Sequence, residues 1–236
     1  MTIHYFYEGK TEKEVLGGLK KFSGSEWKPH DAEGKGNLNQ KIVDILGPML
    51  GQEPIRGLIL RNLDSHDGET MERIVQGVTG ALKKAFDSRK LESSLVRLNQ
   101  HPGHNNVFTL DIEQLDFHLA LHIAVYRWRE DFIKSTIDDY ILDLALNPVT
   151  AGHLAQKLGI TGERLIHKMT IEIPDLLKKN GITLAEAKDY VRLYAAVIKK
   201  HTSPPVFAKK TMANAEETQL RQVFAPLLAA IDFVGG

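Results

Sequence analysis

The sequence predicts an α/β fold, with a mostly parallel sheet flanked by helices in its first half and an all-helical region after it. Three observations carry that expectation. Short apolar runs alternate with amphipathic helical patterns through the first half of the chain. One run, Ile55 to Leu60, is almost continuously apolar, as a strand covered on both faces should be. From Glu113 onward the strand signal fades and helical periodicity takes over. The expected division is therefore an α/β domain over residues 1–112 and a helical domain over residues 113–236.

Each element follows from local pattern. Residues 3–7 read as an aromatic-rich strand, and residues 11–22 as a helix with Thr11 and Glu14 spaced as a capping box. After the glycine-containing loop at residues 34–37, Leu38, Ile42, Ile45, Leu46 and Met49 mark an amphipathic helix that Gly51 ends. The strand at 55–60 becomes polar at its carboxyl end, and residues 70–86 return to helical spacing. Residues 95–98 and 107–112 read as strands around a turn-rich segment at 100–106. Helices are expected at 115–131, 136–146, 149–158, 161–170, 183–200 and 214–232, with Pro204-Pro205 marking a late break.

Composition narrows the chemistry. The 236 residues are 42% hydrophobic, enough for a packed core without staples. There is no cysteine, so a metal would be held by oxygen or imidazole, and a hard cation such as Mg²⁺ or Mn²⁺ is the default. No apolar stretch approaches the roughly 20 residues of a membrane helix, and residues 1–10 carry no basic leader. A cytoplasmic protein with no membrane partner is expected. Thirty basic residues balance thirty acidic ones, so nucleic-acid binding requires a local basic surface. Lys20-Lys21, Lys83-Lys84, Lys199-Lys200 and Lys209-Lys210 read first as solvated helix ends.

The chemistry-bearing residues gather in two segments. Glu8-Gly9-Lys10-Thr11-Glu12 falls where the first strand gives way to the first helix, and Arg61-Asn62-Leu63-Asp64-Ser65-His66-Asp67-Gly68-Glu69 follows the central strand. In α/β sheets ligands bind at this carboxyl edge. The run Tyr5-Phe6-Tyr7-Glu8-Gly9, followed by the acid Glu12, and the later Leu60-Arg61-Asn62-Leu63-Asp64-Ser65-His66-Asp67 resemble the two motifs of the TOPRIM family, found in topoisomerases, primases, recombination proteins and OLD-type nucleases. The resemblance covers about residues 1–112 and implies a TOPRIM-like Rossmann-type sheet. It implies Glu8 as acid/base and occasional metal ligand, and Asp64 and Asp67 as Mg²⁺ ligands. Asn62 stands where the family has the first aspartate of its pair. In one register Asp64 is then the second aspartate; in the other Asp64 is the first acid and His66 or Asp67 the second.

The function this implies is Mg²⁺-dependent nuclease or related phosphoryl-transfer chemistry on nucleic acid, in phage defence or DNA repair. Lys10 and Lys35, each beside a glycine in a loop, are candidate phosphate contacts, and Asn62 and His66 candidate polar support. Glu12 and Glu69 read more simply as helix-start acids. Two alternatives stand beside this: a non-catalytic module that keeps the fold, as Asn62 hints, or a DNA-binding protein using a helix-turn-helix-like segment at 149–169 through Arg164, His167 and Lys168. A homodimer is an open option. His118 and His122, four apart among apolar residues, read as core histidines, and Asp138-Asp139 as a solvated helix start.

Overall fold

The computed structural model describes residues 1–64, 68–198 and 203–236. Its central strand is β3 (Ile55–Asn62), flanked by β1 (Thr2–Tyr7) on one side and β6 (Phe117–Ala124) on the other, both parallel to it. Strand β2 (Glu26–Asp31) pairs parallel to β1 at one edge. A hairpin of β4 (Asn99–His101) and β5 (His104–Ile112) closes the other edge, with β5 pairing antiparallel to β6. The order is β2-β1-β3-β6-β5-β4.

Alternation along the strands sends side chains to two covered faces. Phe6, Ile55 and Ile59 share a core with Leu38, Ile42 and Leu46 of α2 (Leu38–Leu46) and with Ile74, Val78 and Leu82 of α3 (Met71–Ser88). Ile3, Tyr5, Tyr7, Leu58 and Leu60 point the other way and are buried, as are Val15, Leu16 and Leu19 of α1 (Lys10–Leu19).

The chain forms two compact units, residues 1–125 with 226–236, and residues 126–225. The second is helical: α4 (Ile137–Ala145), α5 (Pro148–Ala155), α6 (Gly162–His167), α7 (Ile173–Lys179), α8 (Ala187–Val197), α9 (Pro204–Asn214) and α10 (Glu217–Val223). Helix α11 (Ala225–Gly235) lies almost wholly in the first unit. Tyr140 of α4 stacks on Phe224 at 5.6 Å, and the buried Tyr194 hydroxyl donates to the Ala145 carbonyl at 2.9 Å, which satisfies its polar end. No helix among the described residues is long and apolar enough to cross a membrane.

Several local expectations are corrected. The helix expected at 115–131 is instead strand β6, which pairs on both sides, and the chain divides at 125/126 rather than at 113. A fully buried apolar run has the same appearance in a helix and in a central strand. Residues 95–98 are not a strand: a 3₁₀ turn at Ser93–Leu95 precedes β4, and the turn-rich segment is the β4–β5 hairpin itself. Edge strand β2 was not expected because its exposed residues are polar. Thr11 does not cap α1; Gly9 holds that position, without a side-chain cap. Pro204 and Pro205 open α9, where proline suits the first turn. Asp139 is buried, not solvated, and accepts from the Thr136 and Trp128 amides at 2.9 and 3.0 Å.

Candidate functional site at the carboxyl edge of the sheet

Because β1 and β3 are parallel neighbours, their carboxyl ends deliver Glu8 and Arg61-Asn62 to one edge of the sheet. The two segments meet through side chains. Arg61 Nη1 lies 2.9 Å from Glu8 Oε1, and Asn62 Nδ2 donates to Glu8 Oε2 at 3.1 Å and to Glu12 Oε1 at 2.6 Å. Glu12 reaches inward from the first turn of α1. Gly9 permits this: a Cβ there would sit 3.2 Å from Glu12 Oε2.

Arg61 organises the other half of the site. Its side chain is 8% exposed, and it reaches Glu69 Oε1 with Nη2 at 3.0 Å and the Lys35 carbonyl with Nη1 at 3.1 Å. Glu69 Oε2 accepts from the Asp64 amide at 3.1 Å and faces Lys35 Nζ at 3.1 Å. Lys35 Nζ also lies 4.0 Å from Asp64 Oδ2. Four carboxylates, Glu8, Glu12, Asp64 and Glu69, thus surround two cations, Arg61 and Lys35. A buried arginine is tolerable only when paired in this manner.

The electrostatic result falls on Glu8. Burial pushes its carboxyl up from 4.5 to about 7; Arg61 pulls against that rise, Glu12 adds to it, and the Asn62 hydrogen bond opposes it. A proton at Glu8 is therefore exchangeable near neutral pH, the condition for a general acid or base.

The structure brings together Glu8, Asn62, Asp64 and Lys35 of the residues singled out in the sequence. Lys10 is exposed on the first turn of α1. His66 and Asp67 lie outside the described residues. Glu12 and Glu69, read from sequence as helix-start acids, are central members. Arg61, quoted in the second motif, carries no role in the sequence reading, although a charge between Leu60 and Asn62 directly after the buried run Leu58-Ile59-Leu60 is the signal for one.

The donor set is oxygen-rich, and two pairs of carboxylates converge, Glu8 with Glu12 and Asp64 with Glu69. Nitrogen stands at each meeting point: the Asn62 amide between the first pair and the Lys35 ammonium between the second. Among the described residues no group of three histidine or carboxylate side chains is arranged to hold a metal ion.

Elsewhere, His122 is fully buried on β6, and the Asn106 amide lies 3.3 Å from its Nε2 and donates to the Ile123 carbonyl at 2.8 Å. It is a core histidine, on a strand rather than a helix, and burial lowers it to about 3. His118 lies 3.6 Å from both Asp111 and Asp116. His101 and His104 stack on each other across the hairpin turn at 5.4 Å. In the helix-turn-helix-like segment, Arg164, His167 and Lys168 all converge on Glu172, which already partners the side chains expected to read DNA.

No protein-family model and no curated protein matches this chain. Among solved structures, the crystal structure of a hypothetical protein from Pyrococcus horikoshii OT3 is similar over 98% of this chain and 100% of that one, with a TM-score of 0.55 and 14% identity. That likeness shows a shared fold. At this identity it says nothing of activity.

Proposed function

We propose that this chain is a phosphoryl-transfer protein acting on nucleic acid with Mg²⁺ or Mn²⁺, and that Glu8 is its proton-transfer group. The observation that carries this is a largely buried Glu8, with its carboxyl raised to about 7, joined through Asn62 to Glu12 and through Arg61 to Glu69, which in turn accepts from the Asp64 amide, at the carboxyl edge of a parallel sheet. The donor set fits a hard cation in kind, since every acidic group present is a carboxylate and such ions take few protein oxygens and keep several waters. Asp64, with Asp67 and Glu8, would hold it, and when bound it would neutralise charge on phosphoryl oxygens. Arg61 keeps Glu8 oriented toward Asn62, and Glu8 holds or releases a proton at Oε2. Lys35 offers a cation to a phosphate oxygen. The TOPRIM resemblance of the two motifs agrees with these roles.

Glu8→Gln should abolish Mg²⁺-dependent cleavage of single- or double-stranded substrates while the protein stays folded. Retained cleavage would reject the assignment.

One observation favours a second reading, a non-catalytic module that keeps the fold. The Asn62 amide already bridges Glu8 and Glu12, so a neutral donor does what a cation would do there. Calorimetric titration with Mg²⁺ separates the two. Under the first reading the protein binds the ion and Asn62→Asp binds it more tightly; under the second the parent protein gives no binding heat.

A further inference from the structure

Beside the carboxylate cluster lies a cavity of about 300 Å³ lined by Lys35, Asn39, Arg61, Glu69, Arg73 and Gly77, among others. We propose that it binds a phosphomonoester carried on a single nucleotide unit, so that the neighbouring site works on a phosphate-terminated strand or a free nucleotide. This deepens the phosphoryl-transfer reading and takes its biological sense from it.

The charge of the lining selects an anion. On the wall itself three cations and the Asn39 amide face one carboxylate, Glu69; Arg61 and Lys35 are also paired with Glu8 and Asp64 behind them, so Arg73, which has no ion pair among the described residues, supplies the uncompensated charge. A guanidinium carries five N–H donors in a planar fork that matches phosphate oxygens. Arg73 uses Nη1 on the Gly68 carbonyl at 2.8 Å, which anchors the guanidinium and leaves donors on the rest of the fork.

Glu69 shows what these donors accept. Its carboxylate is held by Arg61 Nη2, Lys35 Nζ and the Asp64 amide, at 3.0, 3.1 and 3.1 Å. An anionic group is therefore already recognised by two of the three cations that line the space. Size restricts the occupant. The volume is at the lower end of small-molecule sites, which run from about 300 to 1,000 Å³, and suits one nucleotide rather than a duplex. Gly77 keeps the space open: a Cβ there would lie 3.1 Å from Asn39 Nδ2.

The test is calorimetric titration of the full chain in EDTA, so that neither metal nor cleavage enters. The probes are a mononucleotide 5′-monophosphate, a short 5′-phosphorylated oligonucleotide and its 5′-hydroxyl counterpart. Binding of the phosphorylated probes and not of the hydroxyl control is expected, and the tighter of the two distinguishes a strand end from a free nucleotide. Arg73→Gln, an exposed change on α3, should weaken phosphate-dependent binding by about tenfold or more, as loss of a charged hydrogen bond does. Gly77→Val, which fills the cavity, should do the same. Equal affinity for phosphorylated and hydroxyl ends, unchanged affinity in Arg73→Gln, or no binding at millimolar probe would overturn the proposal. Failure of the catalytic reading would look different: Glu8→Gln would still cleave, whatever the EDTA titration showed.

Discussion

Replacing Glu8 by glutamine should change the pH dependence of stability in a direction opposite to that of an ordinary salt-bridged acid. The Glu8 carboxyl titrates at about 7 in the fold against 4.5 for the unperturbed group. The folded state therefore holds a proton that the unfolded chain has lost between those values, and stability must fall as pH rises through that window. At roughly 1.4 kcal/mol per pH unit, the raised value corresponds to about 3 kcal/mol withheld from the folded state above neutral pH. Glutamine has nearly the same volume and does not ionise. Its absolute effect includes an altered contact with Arg61, but that offset does not vary with pH, so the pH-dependent part isolates the carboxyl. Urea unfolding of both proteins between about pH 5 and about pH 8 should show the variant gaining about 2–3 kcal/mol relative to the parent across the series. Parallel stability curves, within about 0.5 kcal/mol, would mean that Glu8 ionises freely in the fold, and its role as proton-transfer group near neutrality would lose its basis.

Arg61→Met removes the cation shared by Glu8 and Glu69; it should cost about 3–5 kcal/mol at pH 8, and less at pH 5, where Glu8 takes up a proton, as urea midpoints at the two pH values would show. In the helical unit, a Cβ at Gly162 would sit 2.6 Å from the Pro148 carbonyl oxygen and 2.7 Å from the Gly152 nitrogen. Both are backbone atoms, so α5 and α6 must separate, and Gly162→Ala should lower stability by about 3 kcal/mol in the same assay.

The parts of this molecule that the sequence displays are those where one residue type answers one local demand. An apolar run ending in Glu8-Gly9, and the polar break after Leu60, both mark strand ends at one edge, and the structure has them there. What stayed hidden depends on neighbours distant in sequence. Strand β6 is buried on both faces between β3 and β5, so Phe117 to Ala124 lost the alternation that betrays a half-exposed strand. Edge strand β2 pairs on one side only, and Glu26, Lys28 and Pro29 make it look like a loop. Glu12 and Glu69 each satisfy a helix-start rule on their own, and nothing local says that Asn62 and Arg61 will draw them inward. The site is a long-range object, assembled by a parallel crossover that places residues 8 and 62 side by side.

Arg61 links the two halves of the site, and this couples ligand binding to protonation. Its guanidinium opposes the rise in the Glu8 carboxyl, whereas the carboxylate of Glu69 adds to it, so any further negative charge near Arg61 pushes in the same direction as Glu69. One extra negative charge at a distance on the order of 10 Å costs an ionised carboxylate about 1.7 kcal/mol at an effective dielectric constant of about 20, or roughly one pH unit. Glu8 is near its midpoint at pH 7, so a shift of that size corresponds to uptake of about 0.4 proton when a phosphomonoester enters the neighbouring cavity. Calorimetry at pH 7 in buffers of different ionisation enthalpy measures this number directly. Uptake in the parent protein, and its disappearance in Glu8→Gln with binding retained, is expected. Binding of the phosphorylated probe with no proton uptake, or with the same uptake in the variant, would separate the cavity from Glu8 and leave the phosphate in a site that does not communicate with the proton-transfer group.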